Sequence, residues 1–522
     1  MTKRYLYLTV FISGMTSLAV ELSASRLLGN VFGTSNIVWA NVIGLMLLYL
    51  TIGYFIGGRW ADRSPYPVTL YKIIMWAGFL SAIIPLIARP ILHTAAGAVI
   101  GAEAALALGS FVSVIVLFSV PVTLLGCVSP FAVRLAIDDP QSAGQISGQI
   151  YGISTLGSLV GTFLPVLILI PQLGTTRTFL VFAFALYIVG FIGYGQSQSW
   201  RSAVKWLWMV VVVILLAIWA LNGPLRSPVE GSTLLYETES AYNFIQVVEN
   251  ERGFRDLLLN EGQGVHSRYH SEYVFFGGTW ELFLSAPYFN EPPFTPDDVN
   301  SLLVIGLAAG TIPRQYIDVY GDIPIDGVEI DPKIIQVGAE YFGMNAEQMP
   351  SLRTFAQDGR YILRELDRSY SVIAIDAYRP PYIPWHLTTV EFFQEVRALL
   401  EDDGVVAINV GRTSTDRRLV DAMGQTLKAV YPSVYVIDVP YSYNTIIVAT
   451  NQPTEPDYLA QNLSHLPDHQ IALRSILNMA NTSLVDLGES ETQFLDDRAP
   501  IETLVDSLVL NVLLYENLDE FR

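Results

Sequence analysis

Seven apolar stretches dominate the first 222 residues of this 522-residue chain, near 5–28, 37–58, 70–92, 105–136, 148–171, 176–195 and 204–222. Each is long enough to cross about 30 Å of hydrocarbon as a helix. Backbone in lipid must satisfy its own polar groups, so this succession predicts an α-helical transmembrane bundle. The fourth stretch is too long for one straight crossing and contains Pro121 and Pro130. It is either a kinked, tilted helix or a crossing followed by a re-entrant piece, which leaves an eighth span open. The basic start, "MTKRYLYLTV", has no small-residue cleavage site after it and reads as a retained first helix.

Charge divides the chain in the same place. Residues 1–222 hold 11 Lys/Arg against 5 Asp/Glu, whereas residues 223–522 hold 19 against 44. The second part is therefore an acidic, water-soluble domain. Its field excludes non-specific nucleic-acid binding and gains nothing from an anionic leaflet. The single Cys127 excludes an intrachain disulfide, and the six histidines form no metal-ligand motif. His266 and His270 are read as bordering a pocket entrance. Of the basic residues flanking the seven stretches, Lys3, Arg4, Arg59, Arg63, Lys72, Arg134, Arg201 and Lys205 fall on one side, and Arg26, Arg89, Arg177 and Arg226 on the other. The positive-inside rule then sends a domain following seven crossings outside, whereas a nucleoside-using domain needs a cytosolic supply. We read the domain as cytoplasmic, with an eighth crossing or a non-crossing last stretch resolving the conflict.

Two features of the apolar half go beyond anchoring. Glu21 lies mid-span, where an ionisable group is paired or functional, and Arg26 is its obvious partner. "GYFIGGRWADR" (Gly53 to Arg63) and the pair Gly157 and Gly161 present small residues for close helix contact.

The linker 223–232 is rich in turn and breaker residues. A small β region, 233–290, follows, with a hairpin signal around "NERG". Residues 291–522 alternate short apolar strands ("SLLVIGL", "PIDGVEID", "LRTFAQD", "YSVIAIDAY", "GVVAINV") with helical stretches. That order predicts a Rossmann-like α/β domain with a parallel sheet covered on both faces, and ligands beyond the carboxyl ends of its strands. Gly306 and Gly310 follow the first strand and permit close backbone approach. Glu329 ends the second, 19 residues after Gly310, where a carboxylate accepts bonds from ribose hydroxyls. Asp358 and Gly359 end the third, and Asp376 the fourth. The last residues, "DSLVLNVLLYENLDEFR", read as an amphipathic terminal helix.

"LLVIGLAAG", "VEIDP", "QDGR" and "IAIDAYRPPYIPWHLTTVEFF" resemble the spermidine synthase family, which shares the class I methyltransferase fold. With "SLAVELSASRLL", "GGRWADR", "LLGCVSPFAVR" and "LDDRAPIE", the whole chain resembles bacterial membrane-bound spermidine synthase-like proteins. The resemblance implies aminopropyl transfer from decarboxylated S-adenosylmethionine to an amine, in polyamine biosynthesis at the bacterial plasma membrane, without a metal. It implies Glu329 for the ribose, Asp358 and Gly359 for the adenine, Gly306 and Gly310 for the donor loop, and Asp376 as the first acid of a "D-x-x-D-P" catalytic segment. The second acid of that segment is replaced by Arg379, and Ala309 stands where the family has an acid for the donor's aminopropyl end. "FFGGTWELF" replaces the family's "Y-x-E-M" amine-site element. Arginine is permanently cationic, so it repels a diammonium acceptor and cannot act as a base. Asp376 is left as base, with Glu281, His386, Tyr378 and Tyr382 weaker, and His386 is favoured as a helix-start residue. Two alternatives remain: an S-adenosylmethionine-dependent methyltransferase, or a non-catalytic nucleoside- or polyamine-binding transporter or sensor. The partners expected are a small-molecule amine and the lipid bilayer, but no nucleic acid; a homo-oligomer is compatible with the sequence.

Overall fold

The computed structural model describes residues 2–32, 36–97, 103–137, 139–221, 228, 231–260, 264–377 and 383–505. The chain forms two compact units. One comprises Met1–Ser227 with Glu239–Phe244, the other Pro228–Thr238 with Ile245–Arg522.

The first unit is helical: α1 (Lys3–Phe32), α2 (Asn36–Arg63), α3 (Pro67–Gly97), α4 (Glu103–Ala136), α5 (Ala143–Leu164), α6 (Ile170–Leu173), α7 (Thr175–Ser197), α8 (Trp200–Ala203) and α9 (Trp208–Leu221). Among the described residues seven segments are long and apolar enough to cross a membrane, with α5–α6 and α8–α9 each counting once. The long fourth stretch is one helix, α4, with both prolines inside it. Between α5 and α6, Pro165–Leu169 widens into a π-helical turn, a common accommodation where proline withdraws its N–H. Large apolar side chains point outward, with Phe55, Leu167 and Trp219 at 67%, 67% and 65% exposure. Such a surface is suited to lipid rather than water.

The glycines set the helix contacts. A Cβ at Gly157 or Gly161 would lie 2.1 Å from the Phe11 carbonyl oxygen or 2.0 Å from that of Met15, so α1 and α5 meet backbone to backbone. Gly53 and Gly57 abut Thr123 and Cys127 of α4 in the same way, at 2.3 and 2.6 Å. Arg26 does not turn to Glu21; its guanidinium donates to the carbonyl oxygens of Ser240 (2.5 Å) and Tyr242 (3.4 Å). In the same unit, Glu239 caps the start of α7 by accepting from the Thr175 amide (2.9 Å) and hydroxyl.

The second unit opens with a four-stranded sheet, β1 (Ser232–Glu239), β2 (Phe244–Asn250), β3 (Arg255–Leu259) and β4 (Val265–Tyr269), in sequential order, of which only the end residues Glu239 and Phe244 count with the first unit. The β2–β3 turn is the hairpin signalled by "NERG": Asn250 Oδ1 accepts from the amides of Arg252 (2.9 Å) and Phe254 (3.1 Å). A short helix, α10 (Thr279–Leu282), leads to the main sheet. Its strands are β5 (Leu302–Ile305), β6 (Ile325–Glu329), β7 (Leu352–Ala356), β8 (Tyr370–Ile375), β9 (Leu400–Gly411), β10 (Ser433–Asp438), β11 (Asn444–Thr450) and β12 (Leu484–Val485). Helices α11 (Thr311–Tyr320), α12 (Pro332–Tyr341), α13 (Val390–Arg397), α14 (Arg418–Lys428), α15 (Tyr458–His465) and α16 (Ile471–Thr482) connect and cover them.

The spatial order is β12-β10-β11-β9-β8-β5-β6-β7. Strands β7, β6, β5, β8 and β9 are parallel, as the alternation of strands and helices predicts. Beyond β9 the sheet turns antiparallel through β11, β10 and β12, an edge not foreseen from the sequence. Alternation within each strand divides the core. Leu303, Ile305, Ile373, Ile375, Val406 and Ile408 face Phe392, Phe393 and Met423, while Leu302, Val304, Val372, Ala374, Val405 and Ala407 face Tyr316, Leu473 and Leu477. Both faces are buried, which is why these strands read as unbroken apolar runs. The chain runs from β5 to β6 and β7 on one side, then returns to β8 on the other. The resulting crevice lies at the carboxyl ends of β5 and β8.

Candidate functional site

Four neighbouring parallel strands, in the order β7-β6-β5-β8, end in the residues singled out from the sequence. After β5 the loop takes three left-handed residues, Gly306 (φ 92°), Ala308 (φ 47°) and Gly310 (φ 87°). A Cβ at Gly306 would lie 2.5 Å from the Asp376 carbonyl, so only glycine lets this loop pass the end of β8. Ala308 has no such licence; a left-handed alanine costs about 1–2 kcal/mol. A hydrogen bond offsets that cost: the Ala308 amide donates to Glu329 Oε2 at 3.0 Å.

Glu329 closes β6 and is 8% exposed. Its other oxygen accepts from the Asp331 amide at 3.1 Å. Burial pushes its carboxyl up to about 7, against the pull of the Asp331, Ala308 and Ile330 amides. Asp331 in turn caps α12 through the Lys333 amide (3.0 Å), so "VEIDP" fixes strand end and helix start together.

Asp358 follows β7. Its Oδ1 accepts from the amides of Arg360 and Tyr361, each at 3.0 Å, and its Oδ2 lies 2.9 Å from His386 Nε2. Desolvation raises this carboxyl, but the Tyr361 amide, His386 and the Arg360 amide outweigh it and hold it below the usual range. His386 thus does more than precede α13: it engages the carboxylate that was expected to read a base. Arg360 donates to Glu395 (2.8 Å), Asp496 (2.7 Å) and the His386 carbonyl (3.3 Å), tying "QDGR" to "LDDRAPIE". Gly359 packs against Ile305, where a Cβ would lie 2.5 Å from Cγ2.

Asp376 ends β8, its Oδ1 accepting from Asn409 Nδ2 at 2.9 Å. Burial pushes its carboxyl up to about 6, opposed by hydrogen bonds from Asn409 and Trp280. Arg379, Tyr378 and Tyr382 lie outside the described residues, as do the terminal helix expected over 506–522 and most of the linker. Residues 297–460 match the spermine/spermidine synthase domain family. The C-terminal half carries a spermine/spermidine synthase domain.

The chain is 32% identical to a probable polyamine aminopropyl transferase of Bifidobacterium longum, over 42% of this chain and 47% of that one. It is 31% identical to the eEF1A lysine and N-terminal methyltransferase of Mus musculus, over 30% and 23%. It thus spans about half the length of the first relative and a quarter of the second. Among solved structures, a probable spermidine synthase from Corynebacterium glutamicum aligns over 51% of this chain and 99% of its own, with 18% identity and a TM-score of 0.38.

Other acids and histidines of the second unit have structural work. Glu281, weighed as a base, is 1% exposed. It accepts from the amides of Phe276, Gly277 (3.1 Å) and Gly278 (2.9 Å) and from Gln315 Nε2 (3.2 Å), so it folds its own loop. His270 Nδ1 faces the amides of Glu272 (3.0 Å) and Tyr273 (3.3 Å), leaving Nε2–H for the Arg252 carbonyl (3.1 Å). Burial pushes the His266 imidazole down to about 4. Among the described residues no cluster of three His, Cys, Asp or Glu side chains could hold a metal. Asn409 and Trp280 were not foreseen as partners of Asp376, because each lies far from it in sequence.

Proposed function

We propose that the synthase domain holds an adenosyl sulfonium donor, decarboxylated S-adenosylmethionine or S-adenosylmethionine, across the ends of β7, β6, β5 and β8. It transfers the aminopropyl group to an acceptor in a variant of polyamine synthesis. The chain acts as a multi-pass bacterial plasma-membrane protein with this domain on the cytoplasmic side. One observation carries the reading: Glu329, buried at the end of β6, grips a left-handed loop between Gly306 and Gly310. A buried carboxylate bound to a strained loop is suited to exchanging that amide for ribose hydroxyls, which is how the residues present fit the nucleoside.

When bound, the donor supplies an electrophilic carbon: the acceptor's lone pair forms the new bond to it as the carbon–sulfur bond breaks, and methylthioadenosine leaves. Asp376 takes the proton lost by the acceptor. With its carboxyl pushed up to about 6, it is ionised at neutral pH yet a better base than an exposed aspartate. Asn409 and Trp280 fix its orientation. Arg379, three residues on, places a permanent cation in the catalytic segment and disfavours a dicationic acceptor.

A second reading, methyl transfer from S-adenosylmethionine, draws support from Ala309. It is buried among Ile245, Val247, Ile334 and Phe342, with no acid at that position to hold an aminopropyl ammonium. The mouse relative bears a methyltransferase name. Purified full-length chain incubated with each donor and an amine panel separates them by mass spectrometry. Aminopropyl transfer yields methylthioadenosine and is lost in Asp376→Asn, while the nucleoside still binds. S-adenosylhomocysteine instead supports methyl transfer. Tight nucleoside binding with neither product leaves a binding module.

A further inference from the structure

A groove of about 610 Å³ lies on the small sheet, between the β2–β3 turn, β4 and the segment leading to α10. Phe254, Tyr273, Phe275 and Phe276 supply flat apolar walls, and Arg252 and Arg268 supply cations, against one lining carboxylate, Glu251. In a domain with 44 acidic and 19 basic residues, two guanidinium groups around an aromatic groove run against the prevailing charge. With Arg268 paired to Asp256 and Glu251 beside Arg252, the groove is near neutral, so it repels an anion less than the rest of this acidic surface does.

The groove adjoins the proposed catalytic edge. Phe276 stands edge-on to Trp280, ring centroids 6.5 Å apart, and Trp280 hydrogen-bonds Asp376. The Arg268 amide donates to Thr311 Oγ1 (3.0 Å), the first residue after the Gly306–Gly310 loop. A diamine acceptor would need an acid for each end, and apart from the exposed Glu251 the nearby ones are committed. Glu281 is consumed by three amides and Gln315, and Asp256 takes a bidentate pair from Arg268 at 2.7 and 2.8 Å.

We propose that this groove binds a flat, aromatic molecule carrying one anionic group, and that this is the acceptor class rather than a diamine. The aromatic walls stack on its ring, and Arg252 faces its anionic group while Arg268 stays with Asp256. Only the word acceptor rests on the transferase reading; binding itself does not.

The probe is anthranilate, followed by its own fluorescence with the full-length chain in detergent and protein-free micelles subtracted. Benzylamine and putrescine serve as cationic competitors, and Arg252→Glu as the variant. Arg252 lies on an exposed turn, and an unchanged unfolding temperature shows that the variant is folded. Saturable binding is expected, weakened about tenfold or more by Arg252→Glu, as loss and reversal of a charge-assisted contact requires. Neither cation should displace the probe. Displacement by putrescine or benzylamine, an affinity in Arg252→Glu within twofold of the parent, or no saturable binding overturns the proposal. Methylthioadenosine binding, measured on the same samples, tests the nucleoside reading separately: its absence with anthranilate bound removes that reading and leaves the groove's ligand class standing.

Discussion

Methylthioadenosine binding by the purified full-length chain should weaken on acidification from about pH 8 to about pH 5, through Glu329 alone. A carboxylate accepts from two ribose hydroxyls at once, whereas a protonated acid must donate at one oxygen. In the ligand-free protein this group is pushed up to about 7 by burial. It is then ~90% ionised at pH 8 and ~1% at pH 5, so affinity falls roughly 90-fold, or about 2.7 kcal/mol. The sign follows from the order of states. The free protein favours the neutral acid, the complex requires the anion, and binding below pH 7 therefore releases a proton. Isothermal titration in two buffers of different ionisation enthalpy reads affinity and proton release together. Glu329→Gln should bind weakly with a flat profile, while Asp376→Asn, which removes the other raised carboxyl, should keep the slope through pH 7. A wild-type affinity constant within about threefold across the range, or an unchanged slope in Glu329→Gln, would refute the assignment.

Gly161→Leu should separate α1 from α5 and lower stability by about 1–3 kcal/mol, read as a fall in unfolding temperature in detergent. Gly152→Ala, on the same helix with open space beside it, should be neutral or slightly stabilising, and equal effects would contradict the contact. Arg353→Ala strips Asp326, which is fully buried, of a bidentate partner at 2.7 Å and leaves only the Tyr370 hydroxyl (2.6 Å). About 3 kcal/mol should be lost in denaturant unfolding, and a loss under about 1 kcal/mol would show that water reaches the carboxylate.

The seven long apolar helices and the parallel strands were legible because their signals are local: hydropathy over twenty residues, or four apolar residues before a glycine or an acid. Glu329, Asp358 and Asp376 could be placed at neighbouring strand ends from topology alone, since a parallel sheet brings its carboxyl ends to one side. What those carboxylates touch was not legible. His386 reaches Asp358 across 28 residues and Asn409 reaches Asp376 across 33, contacts that no spacing encodes. Arg26 looked paired with Glu21 because they share a helix, yet its guanidinium reaches carbonyls more than 200 residues away. The antiparallel edge was missed for a related reason: β10 and β11 are as apolar as the buried parallel strands, and direction follows from the tight turn between them.

A structure of the full-length chain determined with methylthioadenosine bears most directly on the account. The ribose hydroxyls should lie within hydrogen-bonding distance of the Glu329 carboxylate, with the Ala308 amide released from it and the base beside Asp358. A nucleoside bound elsewhere, or a Glu329 still closed on the Ala308 amide with ligand present, would contradict it.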